Sequence, residues 1–142
     1  MRRIRILLLL PLLLLAACDT KSLRLANYDL SNAINKAALT TINLEQNGQL
    51  TVAQATPLLS TFYTMSTESD AISKCIDNAN AGGSAAGCIT PILAAINTQS
   101  AQASLGVKST TAQSTMSLAI TGITAVFTEF ATAGATAPAG GS

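Results

Sequence analysis

Cys18, Cys75 and Cys88 are the residues of this chain best able to do chemistry, and they stand in a sequence without histidine. Histidine is the commonest general base and the commonest protein ligand of transition metals, so both routes are closed together. No serine lies in a Gly-x-Ser-x-Gly elbow. The closest carboxylates, Glu68 and Asp70, are two positions apart, which on a helix points them to different sides. Lys36, Lys74 and Lys108 have no evident neighbour that would activate an amine. The expectation is a protein that is not an enzyme and needs no cofactor.

Cys18 ends a distinctive leader. Met1–Arg5 contains three arginines, 6–15 is almost all leucine, and Ala16 and Ala17 are small residues before the cysteine. A basic start, a short apolar run and a small-residue cleavage point describe a secretory signal. The apolar run, interrupted by Pro11, falls short of the ~20 residues that span a bilayer. Leu15-Ala16-Ala17-Cys18 resembles the lipobox of bacterial lipoproteins. The resemblance is confined to the leader, and no family is recognised for the rest. It implies that residues 1–17 are removed and that Cys18 becomes a lipid-bearing N-terminus. A membrane partner through the anchor and a place in the cell envelope, facing the periplasm, follow from it. Asp19 resembles the signal that retains such proteins in the inner membrane.

With Cys18 acylated, Cys75 and Cys88 remain in an oxidising compartment. A bond between them would close a loop of ~14 residues, worth about 3 kcal/mol in the chain-entropy account. Neither has a neighbouring cysteine or histidine to complete a metal site, so a disulfide is expected.

Residues 43–54 have the outline of a calcium-binding loop, with oxygen-bearing Asn43, Glu45 and Asn47 at the first, third and fifth places and Gly48 at the sixth. Gln54 occupies the place of the usual final glutamate, which leaves Glu45 as the sole carboxylate. One negative charge gives little pull on Ca²⁺, so no metal is expected and a helix–turn–helix with an Asn-Gly turn is preferred.

The elements that would carry these residues are helices. After a short tether in 18–28, a domain over 29–133 reads as four amphipathic segments, followed by a disordered tail at 134–142. The first helix runs from Asp29 to Gln46, with Leu30, Ile34, Ala37, Ala38, Thr41 and Ile42 on one side. The second runs from Val52 to Asn78 after a Thr51–Gln54 capping box, with Ala55, Leu58, Phe62, Met65, Ser69, Ile72 and Ile76 stepping by threes and fours. Asp70 and Lys74 are spaced as an ion pair on its outside. Thr90-Pro91 would open the third helix, with Ile92, Ile96, Gln99 and Ala103 as its seam. The fourth starts after Ser109 or Thr110 and buries Ala112, Met116, Ala119, Ile123, Val126 and Phe130, reinforced by Ile120 and Phe127; Gly122 suggests a close helix crossing. The fold class is thus all-α: a small antiparallel up-down four-helix bundle after the signal helix.

Eight basic residues face seven acidic ones, but Arg2, Arg3 and Arg5 lie in the leader; the remainder keeps five against seven, a net charge of −2. No basic stripe is left for a phosphate backbone, so no nucleic-acid partner is expected. The helix exteriors carry Thr40, Thr61, Thr64, Thr67, Thr98, Thr115 and Thr124 with Asn35, Asn97, Gln99 and Gln102, polar but seldom charged. Such faces suit contact with a protein partner or self-association. The reading is a lipid-anchored envelope protein acting as a non-catalytic binding or structural module. The alternatives are a helical domain binding a small ligand or Ca²⁺ weakly at 43–54, and a phage-encoded lipoprotein that modifies the envelope.

Overall fold

In a computed structural model the backbone of residues 3–80, 85–103 and 107–135 is described, with side chains from Thr20 onward. Most of these residues are helical, and they include no strand. The elements are α1 (Arg3–Gln46), α2 (Val52–Asn80), α3 (Ala85–Ala103), α4 (Thr110–Ala125) and α5 (Phe127–Thr132). α1 packs against α2 and α4–α5, α2 against α3, and α3 against α4, around one hydrophobic core.

α1 is longer than its apolar pattern suggested. It continues without a break from the leader through 20–28, the segment expected as a tether. Leu23, Ala26, Asn27, Leu30, Ile34, Ala37, Thr41 and Leu44 are all buried. The 4-3 seam beginning at Leu30 therefore extends back to Asn27 and Leu23, and burial of Leu23 draws the would-be tether into the core. Ala38 and Ile42 flank the seam, half-buried.

α1 ends in a Schellman cap. Gly48 has a φ of +69°, Gln49 N–H donates to the Leu44 carbonyl at 2.8 Å, and Gly48 N–H donates to the Glu45 carbonyl at 2.9 Å. Glycine takes that left-handed conformation without Cβ strain, and Leu44 and Leu50 are buried around the turn. Thr51 then caps α2, its backbone N–H donating to Gln54 Oε1 at 3.0 Å. The seven-residue α2 stripe from Ala55 to Ile76 is buried throughout.

α3 differs from the expectation at both its start and its seam. It begins at Ala85, not at Thr90-Pro91, and Pro91 lies inside it. Cys88 is bonded to Cys75, Cα to Cα 5.8 Å, and Ala85 and Ile89 are buried, so the first turn is held against α2. Ile96 and Ala103 of the expected seam are buried, but Leu93 and Ser100 take the places of Ile92 and Gln99, which are half-buried beside it. Alanines and small polar residues on every side leave α3 without a sharp stripe.

Ser109 caps α4, its hydroxyl accepting from Ala112 N–H. Ala112, Met116, Ile120, Ile123, Val126 and Phe130 are buried as expected, while Ala119 and Phe127 are half-buried against the core. The helix is interrupted at Val126. Thr128 Oγ1 donates to the Ala125 carbonyl at 2.7 Å, and Glu129 N–H turns to the Val126 carbonyl. Threonine hydroxyls that compete for backbone carbonyls bend helices in this way. A second Schellman cap closes α5: Gly134 has a φ of +95°, and Ala135 N–H donates to the Phe130 carbonyl at 2.8 Å. Ala135 is buried, so order continues past 133; residues 136–142, expected as the tail, lie outside the described residues.

Gly122 is not at a close crossing. A Cβ there would meet nothing within 4 Å, because the residue faces an open groove between α1 and α4.

Candidate functional site

The residues singled out for chemistry are spread over the molecule. Cys18 lies in the helical stretch before the described side chains. Cys75 and Cys88 meet as the clasp between the end of α2 and the start of α3. Asn43 and Glu45 belong to the last turn of α1, Asn47 to the turn, and Gln54 to the first turn of α2. Gln54 Oε1 already accepts from both the N–H and the hydroxyl of Thr51, at 3.0 and 3.1 Å. With helix running to Gln46 and resuming at Val52, a twelve-residue liganding loop does not form. Among the described residues no three His, Cys, Asp or Glu side chains group as a metal site.

A polar lock between α1 and α2 is the most developed local arrangement. Asn27 Nδ2 donates to the Ser69 carbonyl at 3.0 Å and to Ser73 Oγ at 2.8 Å, while Ser69 Oγ donates to Asn27 Oδ1 at 2.9 Å. Asn27 and Ser69 are buried, and all the hydrogen-bonding capacity they need is met across the interface. Beside them Arg24 forms an ion pair with Asp77 at 2.8 Å, both side chains more than half exposed. That pair forms in place of the expected Asp70–Lys74 pair. The sequence signal for the lock was available: stepping back by three and seven from Leu30 lands on Asn27 and Leu23.

Open grooves mark the exterior. One, about 550 Å³, lies between α1 and α4 with Ala33, Lys36, Thr40, Leu118, Ala119 and Gly122 among its lining residues. Another, about 310 Å³, lies between the start of α2 and the end of α3, and a further one, about 290 Å³, runs beside the Asn27 lock. Among the described residues Lys36 is the one charged side chain lining the groove between α1 and α4.

The threonine-rich exteriors are less polar than composition suggests. The hydroxyls of Thr40, Thr61, Thr64, Thr67, Thr98 and Thr115 each donate to the carbonyl four residues back in their own helix. Their hydrogen-bonding capacity is turned inward along the helix, and the methyl groups contribute to the outer face. Thr110–Thr132 has the length and apolarity of a membrane span, 23 residues with mean hydropathy 1.2. Its Met116, Ile120, Ile123, Val126 and Phe130 are nonetheless buried against the other helices.

No protein-family model matches the chain, and no curated protein or solved structure is significantly similar to it.

Proposed function

We propose that this is a lipid-anchored protein of the bacterial envelope that works by binding or spacing, not by catalysis, with its helices running up, down, up and down. One observation carries the reading: Leu15-Ala16-Ala17-Cys18 stands at the end of a basic and then apolar leader. Contacts across the helices support the up-down order. Arg24 meets Asp77 while the chain reverses at 47–51, and Thr41 near the end of α1 meets Met116 near the start of α4.

The anchor would sit close to the folded part. Leu23, the first buried side chain described, is five residues beyond Cys18, about 7.5 Å along a helix. Three acyl chains at ~0.8 kcal/mol per buried CH₂ would make such anchorage effectively permanent. The domain would then stand directly on the membrane, facing the periplasm, with Asp19 favouring the inner membrane. Exteriors of inward-bonded threonines and few charges lose little solvation on contact with another protein.

Labelling with radioactive palmitate tests the anchor. Cys18→Ser removes the acyl acceptor and is expected to abolish incorporation, leaving an uncleaved or soluble form. Incorporation at the normal level in that variant would overturn the reading.

A further inference from the structure

The outer face of α1 repeats the spacing of its buried face. Leu25, Tyr28, Asn32, Asn35 and Leu39 step by three and four alternately, on the side of the helix opposite Leu30, Ile34 and Thr41. Leu25, Tyr28 and Leu39 are 61%, 65% and 61% exposed, an unusual cost for three large side chains aligned on one helix. From these observations we propose that α1 carries a second seam, through which two copies of this chain pair side by side, parallel and in register.

The occupant is a second copy because the flanking charges complement themselves. In a parallel pair with Leu25, Asn32 and Leu39 at the a positions, Arg24 is a g residue and Asp29 the e′ residue that it faces on the other copy. Arg24 uses one guanidinium nitrogen, Nη2, for Asp77, which leaves donors for a second carboxylate. Asp29 makes no ion pair among the described residues. The next such position pairs Ser31 with Lys36, so no like charges oppose each other there. Lys21 would face its own copy one step before Leu25, and the seam ends there.

Asn32 and Asn35 fall in the middle of the seam. An asparagine at a core position lowers coiled-coil stability and in return selects the register in which it meets its own counterpart. The parallel sense rests on the anchor proposed above, since two chains held in one leaflet by nearby N-termini direct their α1 helices the same way.

Disulfide trapping of the full-length chain in its membrane tests the pairing. With Cys75 joined to Cys88 and Cys18 acylated as proposed above, an introduced cysteine supplies the free thiol. Asn32→Cys, Asn35→Cys and Leu39→Cys, oxidised with copper phenanthroline, are each expected to give a band of twice the chain mass, several-fold stronger than Thr98→Cys on the outside of α3. Product no stronger than that of Thr98→Cys at all three positions would overturn the proposal. So would product from Leu39→Cys that requires co-expression with Leu25→Cys, the pattern of an antiparallel pair. Palmitate labelling of the same variants separates the two readings. Missing dimer with normal labelling removes the pairing alone, whereas missing label removes the anchor whatever the gel shows.

Discussion

Between α1 and α2, buried Asn27 and Ser69 satisfy each other together with exposed Ser73, and Arg24 reaches Asp77 beside them. In α3 the polar atoms fare differently: Ser100 Oγ and Gln99 Oε1 are buried with no hydrogen-bond partner among the described residues. Charge follows the same division. Among the described residues nine charged side chains lie in 20–80, and only Lys108 and Glu129 lie in 85–135. The first pair of helices is thus held by apolar burial and also by polar groups that find their partners at a single register. α3 and α4–α5 rely on apolar packing, α3 chiefly against α2 and α4–α5 against α1, with Cys75–Cys88 clasping α3 to α2 at one end. A seam of large side chains suffices to bury a helix, and a buried polar group adds a further penalty against sliding or rotating it, because it would lose its partner.

The core itself sets the largest contrast. Phe62 and Ile123 are fully buried, one in each half, so truncating them should cost about 3–5 kcal/mol for Phe62→Ala and about 2–5 kcal/mol for Ile123→Ala. Exposed Thr64→Ala should stay within about ±0.5 kcal/mol. Urea midpoints read by circular dichroism check this. A midpoint for Ile123→Ala equal to that of Thr64→Ala would separate α4–α5 from the common core and return Thr110–Thr132 to the membrane.

Polar burial gives a middle-sized contrast. Asn27→Ala strands the buried Ser69 hydroxyl and should lower stability by about 1–3 kcal/mol. Ser100→Ala removes a hydroxyl with no partner and should leave stability unchanged or raise it by about 1 kcal/mol. Equal losses at both sites in the same urea titration would erase the distinction between the two halves.

The smallest effect is at Gly122. Its Cβ would meet open space and its backbone is helical, so Gly122→Ala should raise the melting midpoint through a gain of up to about 1 kcal/mol. A loss instead would mean that α4 approaches a neighbour there more closely than the open groove allows.

How far each helix could be read from sequence follows the same division. In α2 large apolar residues recur only on one side, and every member of the expected stripe from Ala55 to Ile76 is buried. In α3, Ala86, Ala94, Ala95, Ala101 and Ala103 surround the helix, and residues this small make Ile92 and Leu93 equally plausible as core. Contact with α2 through Cys88 and Ile89 chose Leu93. The tether was misread because Lys21, Ser22 and Arg24 surround Leu23, hiding one apolar residue in a polar setting. At 43–54 the expected helix–turn–helix is present: Asn43 to Gln46 close the last turn of α1, and their side chains fan around that turn.

The sequence by itself determined the helical class, the turn at Asn47-Gly48, the caps at Thr51 and Ser109, and the cysteine pair, because each depends on residues near in sequence or on simple elimination. It also carries the basic and then apolar run ending at Cys18, on which the proposed anchor rests. Only the tertiary structure decided that α1 reaches back through Leu23, that Asn27 finds Ser69 and Ser73, and that α3 turns Leu93 inward. Those outcomes depend on partners more than forty residues away, or on which of several small faces packs best. No local propensity encodes them.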